Sequence, residues 1–140
     1  MKSCLALLIL LAAPYAAAAH AAETPWPALP DASELQWQFH RFDESSYSCY
    51  AVTGQNHLSF GFLVAPAFKF EPKASEQVAT GRIGERSVNW YRTALQPTSW
   101  QSLLSLDSNP AKVVHVFVPA SDASTLQQRL SVLESLSLAP

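Results

Sequence analysis

The sequence predicts an α+β domain, in which a single antiparallel sheet of about six strands carries a C-terminal helix on one face. Several short segments alternate apolar and polar side chains, as half-buried strands do. Short turns separate most of these segments, and strands joined by short turns pair antiparallel. The last periodic segment has the spacing of an amphipathic helix. An all-β sandwich with one added helix is the alternative interpretation.

Three strands are predicted in the first half of the chain. Residues 35–41 alternate apolar and polar side chains, residues 47–53 are aromatic and β-branched, and residues 58–65 carry apolar side chains at alternate positions. A Gly-Gln-Asn turn separates the second strand from the third. Pro66 and Pro72 then bracket a looser segment.

The clearest predicted hairpin joins residues 78–83 to residues 86–94. Gly84 stands at the first central position of its two-residue turn, where a type II′ turn needs a positive φ. We therefore expect these two strands to be neighbours in the sheet.

A helix is predicted next, opened by Pro97, because proline suits the first helical position. Trp100, Leu103 and Leu104 would share its inner face. Asn109-Pro110 would end it.

The last two elements are a buried strand and a helix. Residues 113–118 are apolar on both faces, which is typical of a strand covered on both sides. Ser121 or Asp122 can cap a final helix. Its inner face would carry leucines at helical spacing, namely Leu126, Leu130 and Leu133.

The amino terminus predicts a secretory signal peptide over residues 1–21. Lys2 precedes an unbroken apolar run over residues 4–13, and small residues follow it. We expect cleavage between Ala21 and Ala22. A Pro-rich extended lead-in over residues 22–33 and a single α+β domain over residues 34–140 would follow.

Composition narrows the classes of partner. Without Lys2 the mature chain has eight Lys and Arg against 11 Asp and Glu, a net charge of −3. Nucleic-acid binding relies on clustered basic residues, so this balance argues against it. No second apolar run is long enough to span a membrane after cleavage. We expect a periplasmic or secreted protein.

Few residues carry recognisable chemistry. His40 and Asp43 lie in the only local acid–base cluster, and Cys49 is the one cysteine left after cleavage. A small periplasmic hydrolase or metal-dependent enzyme would need all three in one pocket. His115 lies in mid-strand and is expected to be a hydrogen-bonded structural residue. No sequence motif indicates a cofactor or a metal site.

The most distinctive segment is residues 82–92. Arg86, Trp90 and Arg92 would share one face of a strand, and arginine and tryptophan often anchor interfaces. The alternative interpretation is a core Trp90 with arginines whose charged ends reach solvent.

These observations favour a non-enzymatic role: an exported envelope accessory, inhibitor or binding protein. Its partner would be another envelope protein or a small ligand. The enzyme that uses His40, Asp43 and Cys49 is the alternative. An unpaired cysteine in an exported protein also raises the prospect of a Cys49-linked dimer.

Overall fold

A computed structural model of the protein describes residues 27–106 and 111–138. They form one antiparallel sheet of seven strands and one C-terminal helix, which confirms the predicted α+β class with a single sheet. The elements are β1 (Gln36–Arg41), β2 (Tyr47–Val52), β3 (Leu58–Ala65), β4 (Gln77–Ile83), β5 (Arg86–Tyr91), β6 (Ser99–Leu106), β7 (Lys112–Pro119) and α1 (Ala123–Ser135).

The predicted count of about six strands was wrong because the segment predicted as a helix after Pro97 is strand β6. Ser99–Leu106 pairs along its whole length with β7. Trp100 and Leu104 lie on one face of the sheet, and Leu103 lies on the other. The helical spacing of these three side chains was misleading, because pairing with the next strand, β7, decided the backbone conformation.

The strand order is β1-β2-β3-β7-β6-β5-β4. Each half of the chain forms a three-stranded meander, and β7 pairs with β3 on one side and β6 on the other. Residues 66–76 lead from β3, in the middle of the sheet, to β4 at its far edge. We call residues 66–76 the crossover segment.

The core lies on one face of the sheet, under α1. Phe60 and Phe62 of β3 are fully buried there, as are the alternate valines of β7, Val114, Val116 and Val118. Leu133 of α1 belongs to the same cluster, with Leu126 and Leu130 against it. Because side chains alternate along β7, His115 and Phe117 point to the opposite face, which we call the helix-free face.

Local geometry agrees with one predicted helix cap and one predicted turn. Asp122 caps α1, its Oδ1 accepting a hydrogen bond of 2.8 Å from the backbone N–H of Thr125. Gly84 has φ of +57° in the β4–β5 turn, and Glu85 has no positive φ, as a type II′ turn requires.

The described chain starts against the core. Trp37 of β1 donates a hydrogen bond of 3.0 Å from Nε1 to the carbonyl of Pro27, and Asp31–Ser33 form one turn of 3-10 helix. The predicted signal peptide and its cleavage site at Ala21 and Ala22 lie outside the described residues. Among the described helices, none is long and apolar enough to cross a membrane.

Candidate functional site

His115 is the centre of an aromatic cluster on the helix-free face. Its ring stacks on that of Phe70, with centroids 4.8 Å apart, and the ring of Phe68 lies 5.7 Å away. Phe117 and Tyr50 extend the cluster along the sheet, their ring centroids 6.1 Å apart. The crossover segment therefore lies over β7 and covers part of this face.

Burial and one hydrogen bond define the state of His115. Its Nε2 lies 2.9 Å from Oε1 of Gln101 on β6, the type of structural contact expected for this histidine. Removal from water disfavours the charged imidazolium, so burial lowers the pKa of His115 below its ordinary value of 6.5. The imidazole is therefore neutral at neutral pH.

A pocket of about 430 Å³ opens beside this cluster, between the crossover segment and the β5–β6 loop. Phe70 and Pro72 contribute one wall, and Leu95 lies at the loop. The Leu95 side chain is 94% exposed, the most exposed of the large apolar residues that the structure describes. Leu95 therefore presents apolar surface at the edge of the pocket.

Gln101 is the buried polar residue of the pocket, with only 4% of its surface exposed. Its Oε1 accepts a hydrogen bond from Nε2 of His115, and its amide nitrogen is the only donor atom of the side chain. Two lysines and two glutamates line the same pocket, so their formal charges cancel: Lys69, Lys73, Glu71 and Glu76. The lining therefore combines an apolar wall, the amide of Gln101 and a rim of charged side chains of both signs.

The residues of the predicted enzyme do not converge. His40 pairs with Ser48 on the helix-free face, whereas Cys49 points into the core on the other face. Asp43 lies in the β1–β2 turn, where hydrogen bonds from the backbone and hydroxyl of Ser45 lower its pKa. Within residues 27–106 and 111–138, no three His, Cys, Asp or Glu side chains are grouped as metal ligands.

Cys49 is a buried thiol. It is 1% exposed, and burial raises its pKa to about 12. It therefore stays protonated near neutral pH, and thiolate is the reactive form of cysteine. A Cys49-linked dimer would require the core to open.

The predicted binding face of Arg86, Trp90 and Arg92 is not one accessible surface. Trp90 is 1% exposed and packs near Trp100, with ring centroids 6.4 Å apart. The Arg86 guanidinium donates to the carbonyl of Ser105, and Arg92 is exposed. Trp90 therefore belongs to the core, whereas Arg86 is half-buried and Arg92 is exposed.

Sequence reasoning missed the pocket because its parts are far apart in the chain. The prolines of the crossover segment predict only a loose stretch. Within it, however, Phe68 and Phe70 alternate with Lys69 and Glu71. That alternation was the available signal of a segment lying flat on a sheet. The sequence pattern predicts a helix at Gln101, so it does not indicate the contact with His115.

Comparisons of the chain with protein-family models, with curated proteins and with solved structures found no significant match.

Proposed function

We propose that this protein is an exported, non-catalytic binding protein of the cell envelope, and that its partner binds at the Phe70–Leu95–Gln101 pocket. The observation that carries the proposal is that a nearly fully exposed Leu95 and a buried Gln101 line the same pocket. Interfaces commonly combine an apolar anchor with a few oriented polar groups.

The chemistry of the pocket favours a segment of another envelope protein over a small ligand. Its apolar wall fits one apolar side chain, and the Gln101 amide can donate to a backbone carbonyl. Lys and Glu side chains at the rim tolerate charges of either sign on the partner. The separation of His40 from Cys49 by the sheet weakens the enzymatic alternative, which needs both in one pocket.

Quantitative affinity capture from an envelope extract of the producing cell tests this proposal. Leu95→Asp puts a charge at the exposed anchor, and we expect at least one captured protein to fall about tenfold, the effect of roughly 1.4 kcal/mol. Val78→Asp is the matched control, because Val78 is also exposed but does not line the pocket. If no captured protein distinguishes the two variants, the proposal is wrong.

A further inference from the structure

Strand β1 forms an open edge of the sheet. It pairs only with β2, and five of its six residues are exposed. Phe39 is 41% exposed, and Phe42, directly after the strand, is 58% exposed. Backbone N–H and C=O groups and apolar side chains are therefore both exposed to solvent along this edge.

The outward backbone groups of β1 can be assigned from one hydrogen bond. The N–H of Phe42 donates to the carbonyl of Ser46 across the hairpin, at 3.0 Å. Hydrogen-bonding direction alternates along an antiparallel strand, so the even-numbered residues of β1 bond to β2. Trp37, Phe39 and Arg41 consequently direct their N–H and C=O groups outward. No hydrogen bond between the described residues engages these groups.

The two edges of the sheet differ. Natural edge strands are protected against pairing by bulges, prolines, lysines or short length. β4, the other edge, has a bulge between Gln77 and Ala79. β1 pairs in regular register and contains no proline or lysine. Of the two edge strands, β1 is therefore the one whose regular backbone can pair with another strand.

We propose that two copies of this chain pair through their β1 strands, antiparallel about a two-fold axis at Phe39. This surface is separate from the pocket of the proposed function. Phe39 then pairs with its counterpart, and Trp37 pairs with Arg41 of the second copy. The two-fold axis repeats the pairing of Trp37 with Arg41, so there are three hydrogen-bonded pairs in all. Each pair makes two backbone hydrogen bonds, which gives six bonds within β1.

A register centred on Gln38 is poorer. It would leave only the two pairings of Trp37 with Phe39 inside β1, and so four bonds. Further bonds would need Leu35, which follows the left-handed backbone of Glu34, with φ of 54°. The number of backbone bonds available to a regular strand therefore selects the register centred on Phe39.

The side chains also complement one another in this register. Phe39 meets its counterpart on the core face, which covers apolar surface now in water. Arg41 lies across from Trp37, a favourable cation–aromatic pairing, and no two charged side chains are directly opposite. One strand pair buries less area than a standard stable interface, so the dimer should depend on concentration.

Sedimentation velocity of the protein in the form that the cell produces, over a range of concentrations, tests the dimer. We expect its weight-average mass to rise from that of a monomer towards twice that value. Phe39→Pro removes an N–H that β2 does not use, so it should keep the fold and remain monomeric at every concentration. Circular dichroism checks that the fold is kept.

Thr80→Pro is the matched control on the β4 edge. Asn89, the pairing partner of Thr80, directs its carbonyl to Ser102 of β6, so the N–H of Thr80 also points away from the sheet. This variant should dimerise like the unmodified protein. A monomer at every concentration, or a Phe39→Pro variant that still dimerises, overturns the proposal.

Disulfide trapping tests the register. Cα atoms of a hydrogen-bonded antiparallel pair lie about 5.5 Å apart, within the range of a disulfide. Oxidised Phe39→Cys should therefore run as a covalent dimer on a non-reducing gel, and Thr80→Cys should not. A stronger dimer band from Gln38→Cys than from Phe39→Cys would overturn the register, and equal linkage at Thr80→Cys would overturn the edge.

Discussion

His115 makes the stability of this protein depend on pH. The folded protein holds the imidazole among Phe68, Phe70 and Gln101, and burial lowers its pKa below 6.5. As the pH falls below 6.5, this histidine becomes protonated in the unfolded chain but stays neutral in the folded protein. The free energy of unfolding contributed by this group must therefore fall through that window and level off below the folded pKa.

Urea denaturation between about pH 5 and pH 7.5 measures this dependence. We expect His115→Gln to lose the slope that the imidazole causes. His57→Gln should retain it, since His57 is exposed in the β2–β3 loop and leaves His115 intact. A slope unchanged in His115→Gln would contradict the assignment.

Single residues were predictable only where their immediate neighbours decide their environment. The position of His115 in mid-strand, between Val114 and Val116, correctly indicated a hydrogen-bonded structural histidine. The same position could not identify Gln101 as its partner. That contact depends on the pairing of β6 with β7. The residue pattern did not predict this pairing, so it could not predict the contact.

Among the elements, the β4–β5 hairpin was predicted correctly from the sequence and strand β6 was not. The hairpin was predictable because a glycine at a turn position is a local requirement of the backbone. Strand β6 was not, since its buried face includes Ser102 and its opposite face includes Gln101, both polar. Their burial follows from neighbours in the sheet, and a pattern based on polarity could not foresee it.

The β4–β5 turn is also where the hairpin meets the end of α1. Gly84 has φ of +57°, and a Cβ there would overlap the carbonyl oxygen of Leu136. We expect Gly84→Ala to lower the free energy of unfolding by about 1–3 kcal/mol, the cost of forcing a side chain into that conformation.

Gly54→Ala is the matched control for this prediction, because the β2–β3 turn leaves nothing within 4 Å of a Cβ at that position. It should change stability by less than about 0.5 kcal/mol. Equal effects of the two substitutions, measured by urea denaturation, would show that neither the positive φ of Gly84 nor its contact with Leu136 constrains the hairpin.

At the scale of the whole molecule, the last strand in the chain joins the two halves of the sheet. β7 pairs with β3 and with β6, so neither three-stranded meander completes the sheet alone. The crossover segment is a consequence of this order, since the chain must leave the middle of the sheet to begin β4 at the far edge. The same topology creates the pocket and leaves β1 as an open edge.

Export is a property of the whole chain, and it remains a prediction from residues outside the described part. If residues 1–21 direct export, the mature product should begin at Ala22, and mass spectrometry of the protein from producing cells should find no Met1. Leu8→Arg puts a charge into the apolar run and should leave the precursor uncleaved in the cytoplasm. Ala28→Arg, exposed beyond the cleavage site, should be exported normally. A mature product of full length would contradict the signal peptide, and the envelope location of the proposed partner with it.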